Sequence, residues 1–202
     1  SRAGGWVTGQ TIVVDGGSED DTVALAKSLA DRVINAGRGR ASQMNAGADQ
    51  ARGDILLFLH ADTRLPDNFQ DHLESFWLSG RAWGRFDVRL SGRRLMFRVI
   101  ETLMNLRSRW TGICTGDQAI FVKRRVIDGI GGFVQMPLME DIEISRRLKR
   151  ISRPYCVPSP VVTSSRRWED QGVWRTILLM WSLRLRYFLG ASPERLVEKY
   201  YR

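Results

Sequence analysis

Apolar residues in this chain fall into short runs and spaced stripes separated by polar and glycine-rich turns. Five in a row, Ile55 to Leu59, lead into His60-Ala61-Asp62 and a turn at Leu65-Pro66-Asp67. A continuous apolar run between polar signals predicts a strand buried on both faces, over residues 54–60. Upstream, Ile12, Val13 and Val14 form a β-branched run ending at Asp15, which predicts a strand over 11–15. A turn through Gly16-Gly17-Ser18 follows, with Ser18 or Asp20 as the cap of a helix over 22–30 that carries Val23, Ala26, Leu29 and Ala30 along one side. Val33-Ile34 is a short second strand, and a small-residue helix is expected over 41–51. Strands alternating with helices imply a parallel, doubly wound sheet.

The later pattern predicts a helix over 69–78 that stops at Gly80 and an alternating strand over 83–90 that turns at Ser91-Gly92. A helix over 94–110 follows, with Leu95, Val99, Thr102, Leu103 and Leu106 near one face. A loop over 111–118 delivers a strand over 119–122, and the glycine-rich stretch 129–137 is expected to be mobile. A helix over 139–150 opens with Glu140 and Asp141, which its dipole favours there. Residues 155–157 and 161–163 read as two short strands separated by prolines. Residues 1–10, with three glycines and no period, read as an unstructured lead-in. The apolar segment 172–189 is interrupted by Arg175, Arg184 and Arg186, so no uncharged run approaches a transmembrane length. Aromatics and leucines mixed with arginines fit an interfacial helix on an anionic membrane; a core or dimer helix fits the same pattern.

Charge sharpens this picture. The net charge of +9 is uneven: residues 1–80 hold 7 basic and 11 acidic residues, residues 81–202 hold 24 and 11. Lys occurs only at positions 27, 123, 149 and 199, so arginine supplies the excess, and arginine suits bidentate phosphate contacts. Such a half could face nucleic acid, anionic lipid or a phosphorylated substrate. No helix-turn-helix, zinc finger or aromatic RNA motif is present, and no nucleic-acid partner is expected. At 202 residues the chain is most simply one domain. Cys114 and Cys156 have no metal-like spacing and suggest a reducing compartment. No charged-then-apolar leader pattern is visible, so a cytoplasmic location is expected.

The chemistry gathers at four places. Asp62 follows a strand predicted to be central, where open α/β sheets hold ligands; it is either a metal ligand or a turn or cap residue. Oxygen ligands of this kind suit Mg²⁺ or Mn²⁺, which bind diphosphate oxygens. The others are Asp15 with its glycine turn, the basic loop Gly37-Arg38-Gly39-Arg40 before a helix N-terminus, and Glu140-Asp141. In this order the four resemble the family 2 glycosyltransferases of the GT-A fold, over nearly all of residues 11–202.

The resemblance implies an α/β chain: a single GT-A (Rossmann-like) domain with a mostly parallel mixed sheet flanked by helices and C-terminal amphipathic helices over 172–202. It implies an inverting, metal-dependent hexosyltransferase that moves sugar from a nucleotide-diphosphate donor to an acceptor hydroxyl. Val14-Asp15-Gly16-Gly17-Ser18-Glu19-Asp20-Asp21-Thr22 is similar to the family's strand and Asp-Asp-Gly-Ser-x-Asp-x-Thr, which assigns Asp15 and Gly17 to the donor nucleoside. Arg38 and Arg40 would offset diphosphate charge with Asn45 nearby. His60-Ala61-Asp62 stands at the family's D-x-D position, with Ala61 beside the donor and Asp62 as the ligand of Mn²⁺ or Mg²⁺. Asp117 and Gln118 resemble the acceptor-side loop, and Glu140-Asp141 the pair whose Asp is the general base. Arg167-Trp168 resembles the acceptor-side motif of processive members, but Ser164 replaces its Gln, so a single transfer is expected. A lipid-linked acceptor and a peripheral position on the cytoplasmic membrane face suit the terminal helix. Family members begin with an apolar strand ending near Pro-x-x-Asn-Glu, absent from residues 1–10; a non-catalytic nucleotide-sugar-binding or interaction protein is the alternative.

Overall fold

Strands and helices alternate through residues 9–201, which the computed structural model describes. The expected lead-in lies outside the described residues, apart from Gly9 and Gln10, which carry no regular element. The first half runs β1 (Ile12–Asp15), α1 (Thr22–Lys27), β2 (Arg32–Asn35), α2 (Arg40–Gln50), β3 (Ile55–Leu57), β4 (Thr63–Arg64), α3 (Phe69–Leu78) and β5 (Trp83–Leu90). The second runs α4 (Leu95–Thr111), β6 (Phe121–Lys123), α5 (Arg124–Gly129), α6 (Glu140–Ile151), β7 (Tyr155–Thr163), α7 (Arg166–Asp170), α8 (Val173–Phe188) and α9 (Pro193–Tyr201). The short α5 and α7 are absent from the sequence reading because five or six residues carry too little period to register.

The strands form two sheets, β1-β2 and β3-β6-β5-β7-β4. The long ladders, β1·β2 with four registered pairs and β5·β7 with seven, are parallel. The shorter β3·β6, β5·β6 and β4·β7 ladders are antiparallel. The sheet is therefore mixed rather than uniformly parallel and doubly wound. β6 returns beside β3 from the opposite direction after the excursion through α3, β5 and α4. Among the described residues β1 pairs with β2 alone, and a cleft of about 1710 Å³ runs past β1 and β3, lined by residues of both.

β5 is the spine of the larger sheet. Its alternation sends Trp83 to one face, where Ala41, Ile127, Ile144 and Leu148 bring in α2, α5 and α6. Phe86 and Val88 point to the other face, against Leu73 and Phe76 of α3. Phe121 meets Phe76 and Phe86 edge-on at 4.8 Å and 5.3 Å.

Two expectations change, and the structure selects which face of α4 is buried. The prolines do not split residues 155–163 into two strands: β7 is one strand whose register slips opposite Phe86/Asp87, taking up the residues around Pro158. The stretch 129–137 is pinned rather than loose. Arg147 donates to the carbonyls of Ile130 (2.7 Å) and Gly132 (2.8 Å), and Asn45 exchanges two hydrogen bonds with the Phe133 backbone, both 2.8 Å. On α4 the stripe beginning at Leu95 faces outward, while Phe97, Ile100 and Ser108 are buried.

Gly84 is where β5 and β6 come closest to conflict. A Cβ there would lie 2.4 Å from the Phe121 ring and 2.4 Å from the Tyr155 carbonyl oxygen. Because one obstacle is backbone, Gly84→Ala is expected to lower stability by about 1–3 kcal/mol. Urea denaturation checks this: the midpoint should fall with an unchanged slope.

Candidate active site

The antiparallel β3·β6 register positions the core of the site. Leu57 pairs with Phe121, and the Phe58 N–H donates to the Ile120 carbonyl at 2.8 Å. Followed outward, this register carries His60-Ala61-Asp62 alongside the Gly116–Gln118 turn that precedes β6. His60 Nδ1 stands 3.5 Å from Asp117 Oδ1. Its ring lies over Gly116, where a Cβ would come within 2.4 Å of it, so glycine is required there. Partial burial would raise the Asp117 carboxyl, but His60, Arg40 and Arg184 outweigh it and hold it below the usual carboxylate range.

α6 adds the second acidic group. Met139 turns the chain in a left-handed conformation (φ 72°) immediately before Glu140 and Asp141 open the helix. Asp141 Oδ2 accepts from the Gly116 N–H at 3.1 Å, which ties the helix start to the turn beside His60. Glu140 is only 2% exposed; burial and then the Asp141 charge raise its carboxyl, against the pull of Arg40 at 3.6 Å. Burial works against the Arg40 charge, but Tyr200 and Glu140 more than compensate and raise its affinity for the proton.

The cleft is lined by Arg40, His60, Ala61, Asp62, Asp117 and Asp141, and also by Arg167, Trp168, Arg184 and Tyr200. Arg167 stacks on the Tyr200 ring at 3.8 Å and donates to its carbonyl at 3.2 Å, bringing α9 back across α7. Trp168 also packs into the cluster of Leu90, Phe97 and Ile100. Behind Asp141 stand two more arginines. Burial and then Arg184 bring the Arg107 guanidinium down to about 10, and burial lowers Arg184 against the pull of Asp141 and Asp117.

Other expected site residues are not brought to the cleft. Asn45 does not line it, and both ends of its amide are spent on Phe133. Gln118 is fully buried, and its amide is engaged away from the cleft: its Oε1 accepts from the Thr115 N–H and its Nε2 donates to Asn105 and Ser108. Arg38 projects into solvent, 3.9 Å from Glu19, because it precedes the α2 turn that carries Arg40 inward. Asp15 and Gly17 also lie outside the cleft lining. Asp15 receives the Gly17 N–H at 2.8 Å, the Ser18 N–H at 3.0 Å and the Ser18 hydroxyl at 2.5 Å.

Among the described residues no three His, Cys, Asp or Glu side chains come together as a metal cage. That donor set still fits Mg²⁺ or Mn²⁺, which are commonly held by one or two carboxylates plus substrate phosphates and water. Asp62 is exposed, lines the cleft and has no hydrogen bond or ion pair among the described residues, leaving its carboxylate free for this role. Sequence reasoning missed Arg184, Arg107 and Tyr200. No signal singled out Arg184, which stands no nearer the helical phase of buried Thr176 and Leu183 than Arg186 does.

The Asp15 turn yields a pH prediction. The Ser18 hydroxyl first, then the Ser18 and Gly17 N–H groups, hold the folded carboxyl below its unfolded value. Its contribution is therefore present above the ordinary carboxylate range and lost as pH falls through the folded value. Asp15→Asn should be less stable than wild type at neutral pH, and the gap should shrink in acid, as read from denaturation midpoints across pH.

The sequence model of Glycosyl transferase family 2 matches residues 10–135. A probable glycosyltransferase of Bacillus subtilis, YdaM, is 25% identical over 209 residues, covering 90% of this chain and 47% of that protein. The mannosyltransferase PcManGT from Pyrobaculum calidifontis, solved with GDP-Man and Mn²⁺, superposes with a TM-score of 0.55 at 22% identity, over 76% of this chain and 46% of that one. S. aureus TarS 1-349 superposes with a TM-score of 0.58 at 15% identity, over 76% and 50%. The chain spans about half the length of these relatives. Its mixed sheet between helices has the GT-A fold that the sequence implied. The chain belongs to glycosyl transferase family 2.

Proposed function

We propose that this glycosyltransferase chain carries a metal-dependent, inverting hexosyl transfer from a nucleotide-diphosphate sugar to an acceptor hydroxyl. The observation that carries the reading is the convergence of Asp62, from the end of β3, and Asp141, from the start of α6, on one cleft that also receives Arg40 and Arg184. The mannosyltransferase of the same fold binds GDP-Man and Mn²⁺, which supports a sugar-nucleotide donor and a divalent ion here.

In this reading Arg40 and Arg184 orient the donor diphosphate and offset its charge. Asp141, with its two oxygens held by the Gly116 and Ile142 N–H groups, takes the proton of the acceptor hydroxyl on a remaining lone pair. The acceptor oxygen bonds to C1 as the bond from C1 to the diphosphate breaks, and attack opposite the leaving group inverts the anomeric centre. A divalent ion held by Asp62 supplies further charge stabilisation to the departing diphosphate. Glu140, buried and inclined to keep a proton, positions Arg40 rather than serving as a second base. Asp117 and Arg167 line the acceptor side, and the acceptor is lipid-linked and presented at the cytoplasmic membrane face. Both cysteines are free, and burial pushes the Cys114 thiol up to about 12, which leaves it a poor nucleophile.

One observation favours a second reading, a nucleotide-sugar binder without turnover: among the described residues nothing pairs the facing edges of β1 and β3. Calorimetry with UDP and GDP, with and without Mn²⁺, separates the two when combined with donor turnover. Wild type should bind nucleotide with Mn²⁺, Asp62→Ala should lose that binding, and Asp141→Asn should keep it while losing about 10²–10⁴-fold in turnover. Full transfer by both variants would sink the catalytic proposal; binding without turnover by wild type would favour the second reading.

A further inference from the structure

Two neighbouring helices present apolar stripes to the outside. On α4, Leu95, Val99, Leu103, Leu106 and Trp110 recur every three or four residues and are 40% to 84% exposed. On α8, Trp174, Leu178, Trp181, Leu185 and Phe188 do the same at 60% to 74%. The helices meet through Met96, Phe97, Ile100 and Met104 of α4 and Val173 and Ile177 of α8. At 100° per residue, Met96 on α4 and Val173 and Ile177 on α8 lie between the buried face and the outward stripe of their helices, so the two stripes adjoin across the seam. Scattered exposed leucines need no explanation, but ten large apolar side chains in two aligned rows do.

Charge identifies the occupant. α8 contains no acidic residue and three arginines, Arg175, Arg184 and Arg186. Arg175 and Arg186, three helical turns apart, are exposed together along one flank of the stripe. α4 contains three arginines and one acid, Glu101, which is already engaged by Arg98 at 3.2 Å and by the Leu90 N–H at 3.0 Å. Arg93 and Arg94 stand exposed at the α4 entry. Two copies of such a face would set arginines against arginines. A bilayer would take tryptophans and leucines at the acyl boundary and arginines among anionic headgroups. Among the described residues no helix is long and apolar enough to cross a membrane, so the contact is one of lying on the surface.

We propose that the adjoining outer faces of α4 and α8 form a platform that docks this protein on an anionic lipid surface. It deepens the membrane-face acceptor reading above and rests on it only for the acceptor, since donor binding does not involve these residues. α8 links the two regions: its outer face carries Trp181 and Leu185, while Arg184 between them lines the catalytic cleft. Docking would therefore hold the cleft beside the bilayer, where the hydroxyl of a lipid-borne acceptor lies.

The test is flotation with vesicles of phosphatidylcholine alone and of equal parts phosphatidylcholine and phosphatidylglycerol, alongside circular dichroism and Mn²⁺-dependent nucleotide calorimetry. Wild type should float with the anionic vesicles and bind the neutral ones weakly. Leu103→Glu/Trp174→Glu/Trp181→Glu should lower vesicle affinity by about a factor of ten or more while keeping helicity and nucleotide binding. Should that variant unfold, Arg175→Glu/Arg186→Glu, which touches only exposed positions, should still abolish the preference for anionic vesicles. Wild type that ignores anionic vesicles, or variants that bind them unchanged, would overturn the platform. So would sedimentation revealing a dimer that these substitutions dissociate, because the face would then belong to a second copy. Wild type that binds nucleotide but no vesicles counts against docking alone; wild type that binds anionic vesicles but no nucleotide counts against the donor reading alone.

Discussion

The antiparallel pairing of β3 with β6 is the constraint on which the site depends. Three residue pairs define it, yet it sets the end of one strand against the turn that begins the other. His60 then has no room except over Gly116, and Asp117 falls within reach of its ring. The Gly116 N–H, turned toward α6, takes Asp141 as its acceptor. One register thus couples the His60 ring beyond β3, the Asp117 carboxylate before β6 and a carboxylate from the start of α6, though about eighty residues separate His60 from Asp141. A slip of one residue would reverse the faces of β3 and dismantle the arrangement.

Charge is arranged around this frame so that several buried groups have a counterweight. Arg85, fully buried on β5, lies against Asp87, which also receives Arg109 from α4 at 2.6 Å. Glu140 is opposed by Arg40, and Asp117 by His60, Arg40 and Arg184. Arg85 Nε, Arg107 Nη2 and Arg124 Nη2 are nevertheless buried without a hydrogen-bond partner, and Arg107 stands next to Arg184. The basic excess of residues 81–202 therefore does two different things. Inside, it stands near the cleft carboxylates; outside, on α8, it flanks an apolar stripe.

The corrections share one cause, that side-chain roles were inferred from position along the chain alone. Asn45 and Gln118 stand where the family resemblance assigns ligand contacts, but each has a backbone or buried partner that exhausts its amide. The α4 stripe was legible as a stripe, but nothing in its spacing distinguishes a face that meets the core from one that meets the outside. Phe97 and Ile100 took the core side because β5 and α8 offered partners there.

Local chemistry was enough to determine most of the elements: a β-branched run made β1, a continuous apolar run β3, alternation made β5, and acids at a helix start marked α6. The order of Asp15, Arg40, Asp62 and Asp141 was likewise enough for the family. Tertiary structure alone decided what depends on distance between remote segments: the antiparallel entry of β6, the single β7 with its slip past the prolines, and the arrival of Arg184 and Tyr200 at the cleft. It also decided which side of α4 and α8 is buried. Periodicity states that a helix has an apolar face, and only the neighbours it packs against select which face is covered.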